Sequence, residues 1–110
     1  MEKIDIQLFL KNIELFKDLN DNEIETLATQ FNSSNYNDGE FLFKENEARE
    51  KVFVIYAGKV EILKSAHDTI MKQIGVFNKG EFLSEGALLD QYPHSTSARC
   101  IEPSIILVLE

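Results

Sequence analysis

The apolar residues of this chain change their spacing after residue 35, and that change limits the folds that the chain can adopt. Before it, apolar residues recur every three or four positions; after it, they form short runs separated by glycine-containing turns. Short runs of this kind are typical of antiparallel strands joined by tight connections. The sequence therefore predicts two helices followed by six to eight short strands.

Two helices are predicted in the first 31 residues. The first is indicated by an apolar stripe at helical spacing: Ile6, Phe9, Leu10, Ile13 and Phe16. It is predicted to end near Leu15. The second is predicted over residues 21–31, because Asn20 stands three positions before Glu23, which is the spacing of a capping box.

The short strands are predicted over residues 40–44, 52–56, 59–63, 70–77, 94–100 and 105–109. Ala57-Gly58 separates two of them and predicts a tight hairpin, and a second hairpin is predicted to turn at residues 65–68. Many short antiparallel strands leave exposed edges unless the sheet rolls up. We therefore expect a mainly β protein with flanking helices, built as a rolled or closed β-sandwich.

Length and charge narrow the class of protein. The 110 residues suit a single domain, divided into a helical part over 1–31 and a β part over 36–110. The net charge of −8 opposes direct contact with nucleic acid or anionic lipid. No apolar run is long enough for a membrane helix and no signal peptide is recognised, so a cytoplasmic location is expected. The lone Cys100 is predicted to be buried. The sequence stops directly after the apolar strand at 105–109, and a core strand rarely ends a natural protein, so the chain is expected to be a fragment of a longer polypeptide.

Residues 80–99, GEFLSEGALLDQYPHSTSAR, have the composition of an anion site. A single helical turn is predicted after Ser84, and the free amides at the start of such a turn favour an anion. After Pro93, His94 offers a cation when it is protonated, and residues 95–97 offer three hydroxyl groups. The segment is therefore predicted to form a phosphate cradle.

Four segments resemble the cyclic-nucleotide-binding domain family: LFKDL at 15–19, DGEFLF at 38–43, VFVIYAGKV at 52–60 and LSEGALLDQYPHSTS at 83–97. The last is similar to the family's phosphate-binding cassette, F-G-E-[LI]-A-L-L followed by P-R-x-A-T. The family occurs in catabolite-activator-like transcription factors, protein kinase A regulatory subunits and nucleotide-gated channels. The resemblance covers residues 13–110 and implies a jelly-roll-like β-roll, or double-stranded β-helix, with N-terminal helices and a short helix in the cassette.

The resemblance also implies roles for residues of this chain. Glu85 matches the glutamate that accepts a hydrogen bond from the ribose 2′-hydroxyl, and the amides of Gly86 and Ala87 match those that meet the cyclic phosphate. Ser95 and Thr96 fall where small residues follow the cassette arginine, and Ser95 can donate to a phosphate oxygen. Two apolar residues of the roll are expected to wall the base: Ile62 and Ile74.

Three cassette positions depart from the family pattern; one of them is Gly86, which replaces a branched apolar residue and loosens the short helix. His94 stands where the family has its phosphate-binding arginine, and Ser84 stands where it has a glycine. Arginine is a permanently charged fork, whereas histidine near neutral pH is mostly uncharged and gives one donor. One charge-assisted hydrogen bond contributes about 1.5–3 kcal/mol, so the exchange is expected to weaken phosphate binding about ten- to a hundredfold. Because side chains alternate along a strand, Arg99 is not expected to replace the arginine.

Two functions follow from these observations and stay open. One is a regulatory module for a 3′,5′-cyclic nucleotide, cAMP ahead of cGMP, that controls an attached effector domain. The other is a degenerate β-roll that has lost this ligand and serves interaction or homodimerisation, or takes another small anion. A metal-dependent enzyme of the cupin type is disfavoured because the chain has only two histidines. No cofactor, metal or membrane partner is expected, and any DNA contact is assigned to a separate domain.

Overall fold

A computed structural model describes residues 5–45, 51–65, 71–84 and 96–109 of the chain. Helix α1 (Ile6–Lys11) begins at Asp5, whose side chain accepts a hydrogen bond from the amide of Leu8. The predicted end near Leu15 is wrong, because the Asn12 side chain donates to the Leu8 carbonyl and the next residue, Ile13, is extended. A 3-10 turn (Glu14–Phe16) follows.

Helix α2 (Asp21–Ala28) confirms the predicted capping box and is shorter than predicted. Asn20 and Glu23 exchange side-chain to backbone hydrogen bonds of 2.8 and 2.9 Å. The helix ends at Thr29, whose hydroxyl donates to the Thr26 carbonyl. Phe31 therefore lies in a strand rather than in the helix, and the sheet begins five residues before the predicted 36–110 boundary.

The described residues form eight strands: β1 (Phe31–Tyr36), β2 (Phe41–Phe43), β3 (Val52–Ala57), β4 (Lys59–Ser65), β5 (Met71–Asn78), β6 (Phe82–Ser84), β7 (Ser97–Cys100) and β8 (Ser104–Leu109). They make two antiparallel four-stranded sheets. Sheet A has the order β1-β8-β3-β6, and sheet B has the order β2-β7-β4-β5. This architecture confirms the mainly β class and the β-roll.

The hairpin predicted at Ala57-Gly58 is wrong. Strand β3 pairs with β6 and β8 in sheet A, whereas β4 pairs with β5 and β7 in sheet B. Gly58 has a φ of 111°, a conformation that favours glycine, and Ser104 packs directly against it. The dipeptide is therefore a corner that carries the chain from one sheet to the other, as happens where packed sheets exchange strands. The pairing of β4 with β5 confirms that the second predicted hairpin joins these strands. Ser65 belongs to β4, and residues 66–68 of the predicted turn lie outside the described residues.

The core has two layers. The inner cluster takes buried side chains from both sheets, including Phe53 and Ile106 from sheet A and Ile62 and Ala98 from sheet B. A second cluster joins the outer face of sheet A to the two helices, around Val54 and other fully buried residues: Leu10, Ile24 and Leu107. Burying both faces of sheet A against apolar groups explains why β3 has no polar alternation. Cys100 is a free buried thiol, as predicted.

Candidate functional site

The predicted cassette connects strands of different sheets. Ser84 is the last residue of β6 in sheet A, where it stands opposite Val52, and Thr96 immediately precedes β7 in sheet B. A strand ending at Ser84 was not predicted. The remaining predicted cassette residues lie outside the described part of the chain: Glu85, Gly86, Ala87, His94 and Ser95. The cassette is thus fixed at both ends, and the roles of these residues remain predictions.

Ile62 and Ile74, the two residues predicted to wall the base, pack into the same inner cluster. Ile62 on β4 is fully buried, and Ile74 on β5 is partly buried against the cluster. Ile62 pairs with Gly75 and Leu63 pairs with Gln73, so Ile74 is an extra residue in the ladder. The structure therefore brings the two side chains to the interior of the roll, with a β-bulge between them.

The start of β7 is tied to two neighbouring strands by hydrogen bonds through Glu45. The amide of Glu45 donates to the Ser97 hydroxyl at 3.0 Å, and a Glu45 carboxylate oxygen accepts from the amide of Ser65 at 2.6 Å. Thr96 and Ser97 are both buried, at 3% and 0% exposure. These contacts fix the point at which the cassette enters sheet B. No local sequence pattern indicated this role of Glu45, because its partners are distant in sequence.

Arg99 is held by Glu61 on the face of sheet B that lies away from the inner cluster. Its Nε donates to Glu61 Oε2 at 2.8 Å, and its Nη2 lies 2.7 Å from the same oxygen in an ion pair. Gln73 Nε2 donates to Glu61 Oε1 at 3.0 Å. The Arg99 guanidinium also lies 5.6 Å from the centre of the Phe41 ring. The guanidinium is therefore bound on the outer face of sheet B, and the expectation that it does not replace the cassette arginine stays a prediction.

The Glu61 carboxyl is unusual for an outer sheet face, because it is only 6% exposed. Burial alone raises its pKa, but the hydrogen bonds from Gln73 and Arg99 and the Arg99 charge outweigh burial, so the pKa lies below its usual value. The ionised form is thus the stable one at neutral pH. One signal in the sequence could have revealed the pair: an acid and an arginine, each placed within an apolar strand.

A groove of about 560 Å³ lies along α2, lined by Leu19, Leu27 and polar residues of the helix. None of the predicted site residues lines it. Within the described ranges no cluster of three or more His, Cys, Asp or Glu could hold a metal ion. No helix in those ranges is long and apolar enough to cross a membrane.

Comparison with known proteins identifies relatives of this site and of the whole roll. The profile of the family described as "Cyclic nucleotide-binding domain" matches residues 33–110. A cGMP-dependent protein kinase of Caenorhabditis elegans is 26% identical over 93% of this chain and 13% of its own length. A cAMP-dependent protein kinase regulatory subunit of Debaryomyces hansenii is 26% identical over 92% of this chain and 22% of its own length. The chain thus spans less than a quarter of these two relatives.

Solved structures share the fold. The regulatory domain of Toxoplasma gondii protein kinase A, crystallised with cAMP, has a TM-score of 0.83 at 17% identity and covers 96% of this chain and 41% of its own. The regulatory subunit of a cAMP-independent protein kinase A from Trypanosoma cruzi, bound to guanosine, has a TM-score of 0.81 at 24% identity. The match covers 96% of this chain and 37% of that subunit. The Thermus thermophilus catabolite activator protein has a TM-score of 0.72 at 24% identity, and the match covers 86% of this chain and 45% of that protein. These similarities support the two-sheet roll described above.

Proposed function

This chain belongs to the cyclic nucleotide-binding domain family, and we propose that it is a regulatory module that binds a 3′,5′-cyclic nucleotide, cAMP ahead of cGMP. The observation that carries the proposal is the family match over residues 33–110, which includes the whole cassette. We further propose that binding controls an effector domain attached to this module, since the relatives are much longer kinase proteins. The module itself is expected to carry out no reaction on its ligand.

The proposed binding mode divides the ligand between cassette and roll. Glu85 accepts from the ribose 2′-hydroxyl, and the amides of Gly86 and Ala87 donate to the cyclic phosphate. His94 and Ser95 add donors to the phosphate. The base lies against apolar groups of the roll, and of the two predicted wall residues it is the partly buried Ile74 that keeps exposed surface, whereas Ile62 is fully buried.

One observation favours a second ligand class, an uncharged nucleoside. The position of the cassette arginine is occupied by His94, so the phosphate lacks its usual cationic partner. A structural neighbour from a cAMP-independent kinase is bound to guanosine, a nucleoside without phosphate. A roll with a weak phosphate contact retains the contacts to ribose and base, and these suffice to hold a nucleoside.

His94→Arg separates the two ligand classes. Isothermal titration of wild type and variant with cAMP, cGMP, adenosine and guanosine gives the affinities. The variant is expected to gain about ten- to a hundredfold in affinity for a cyclic nucleotide, because the arginine adds charge-assisted hydrogen bonds to phosphate. Its affinity for the nucleosides is expected to stay unchanged.

His67→Arg is the matched control, since it adds the same charge at the other histidine of the chain. A gain in cyclic nucleotide affinity in both variants would indicate a general charge effect rather than a cassette contact. If wild type binds no cyclic nucleotide at millimolar concentration but binds a nucleoside, the second ligand class replaces the first. If neither variant nor wild type binds any of the four compounds, the ligand-binding function is rejected.

A further inference from the structure

We propose that Glu61 is a positioning residue for the interior of the roll: through Gln73 it holds the β5 bulge that keeps Ile74 beside Ile62. The inference rests on the proposed function in one respect, namely that these two side chains wall the base of the ligand. Glu61 lies on the opposite face of sheet B from Ile62, so it acts on the wall without touching it.

The register of β5 shows why the bulge matters. Gly75 stands opposite Ile62, whose side chain faces the inner cluster, so a regular strand would turn Ile74 to the outer face. Instead Gln73 stands opposite Leu63, and the extra residue Ile74 packs against the inner cluster. The bulge is therefore what brings Ile74 into the interior.

Glu61 holds Gln73, the residue that immediately precedes the extra residue Ile74 of the bulge. Gln73 Nε2 donates to Glu61 Oε1 at 3.0 Å, while Oε2 of the same carboxylate accepts a hydrogen bond from Arg99 Nε and forms an ion pair with Nη2. Both oxygens of a carboxylate that is only 6% exposed thus have donors. The carboxylate joins three adjacent strands, and it does so at the point where β5 is irregular.

The alternative register is disfavoured by the same contact. Without the bulge, Gln73 would stand opposite Lys64, where Lys72 stands now, and Glu61 Oε1 would lose its donor. Removing a donor from a buried carboxylate is unfavourable. The hydrogen bond between Gln73 and Glu61 therefore selects the register in which Ile74 faces the interior.

Gln73→Met tests this, because it removes the donor and keeps the length of the side chain. In ligand-free protein with labelled isoleucine methyl groups, the nuclear Overhauser effect between Ile62 and Ile74 is expected to be lost. Amide exchange at Gly75 is expected to accelerate about tenfold or more, as for loss of a hydrogen bond to a charged group. Lys72→Met, the same replacement at the neighbouring exposed position, is expected to change neither quantity.

Glu61→Gln supplies a conservative variant that keeps the bulge. Its amide can accept from Arg99 through oxygen and donate to a flipped Gln73, so the contact between Ile62 and Ile74 is expected to persist while thermal stability falls. If the contact also persists in Gln73→Met while its stability falls, Glu61 has only a structural role and the proposal is overturned. Loss of the contact in Lys72→Met would overturn it equally.

A ligand titration separates this inference from the proposed function. If wild type binds cAMP, Gln73→Met is expected to weaken binding about tenfold, the scale of one buried aliphatic contact, and Lys72→Met to leave it unchanged. Unchanged cAMP affinity in Gln73→Met would overturn the role in the wall. Failure of wild type to bind cAMP, cGMP, adenosine or guanosine would instead reject the proposed function, and the methyl contact measured without ligand would still decide the role of Glu61.

Discussion

Gly58→Ala is expected to destabilise the protein more than the same change at other glycines with positive φ. Gly58 has a φ of 111°, and a Cβ built there would lie 2.8 Å from the Ser104 Cα and closer still to its side chain. Strain from the backbone conformation costs about 1–3 kcal/mol, and overpacking adds about 1–3 kcal/mol. The alanine recovers about 0.4–1 kcal/mol by restricting the unfolded chain. The expected net loss in the free energy of unfolding is about 3 kcal/mol.

Gly39→Ala and Gly80→Ala are matched controls. Their φ values are 91° and 86°, and a Cβ at either position would meet nothing within 4 Å. The two alanine variants therefore have the backbone strain without the overpacking, and each is expected to lose about 1 kcal/mol in the free energy of unfolding. The difference of about 2 kcal/mol from Gly58→Ala measures the contact with Ser104.

Urea unfolding followed by circular dichroism gives the three free energies, with unchanged m values as the test of a comparable unfolded state. Ser104→Gly alone loses the hydrogen bond from its hydroxyl to the Glu102 carbonyl, about 1 kcal/mol. Combined with Gly58→Ala, it is expected to cost about 1–2 kcal/mol less than the sum of the two single changes, because it removes most of the overpacking. Equal losses for all three glycine variants, or strict additivity with Ser104→Gly, would refute the account of the corner.

Two further predictions concern stability. Folding lowers the pKa of Glu61, so its stabilising effect is present above the unfolded-state pKa and is lost as pH falls through the folded-state pKa. In urea unfolding, Glu61→Gln should therefore destabilise the protein more at pH 7 than at pH 3. An equal loss of stability at both pH values would contradict this. Asn20→Ala removes one half of the capping box of α2 and should lower the free energy of unfolding by about 1 kcal/mol, whereas Asn22→Ala, on the same exposed helix, should have a smaller effect.

The sequence predicted the strands better than their partners. Local apolar runs showed that residues 52–56 and 59–63 are extended, but tight spacing suggested that they pair with each other. The structure places them in different sheets, because both faces of β3 are buried and its neighbours are β6 and β8. Pairing depends on contacts that are distant in sequence, and one sequence carries little direct information about them.

The capping box of α2 was predictable from its motif, and the burial of Cys100 from its being the one cysteine of the chain. The cassette residues 85–95 lie outside the described residues, so their roles stay predictions. The contacts of Glu61 with Gln73 and Arg99 could not be predicted from motifs, because they depend on a register shift between β4 and β5. Phe31 was assigned to a helix for a related reason: its burial comes from pairing with Leu109 at the other end of the chain.

The position of β8 has a consequence for synthesis of the protein. Among the strands that the structure describes, β8 lies between β1 and β3, which do not pair with each other, so β1 gains its described partner in sheet A only when residues 104–109 are available. Strand pairing over such long sequence separations slows folding. A ribosome making this chain therefore holds an unpaired first strand until almost all of the roll has been translated, and chaperones that shield exposed strand edges would have their longest access during that interval.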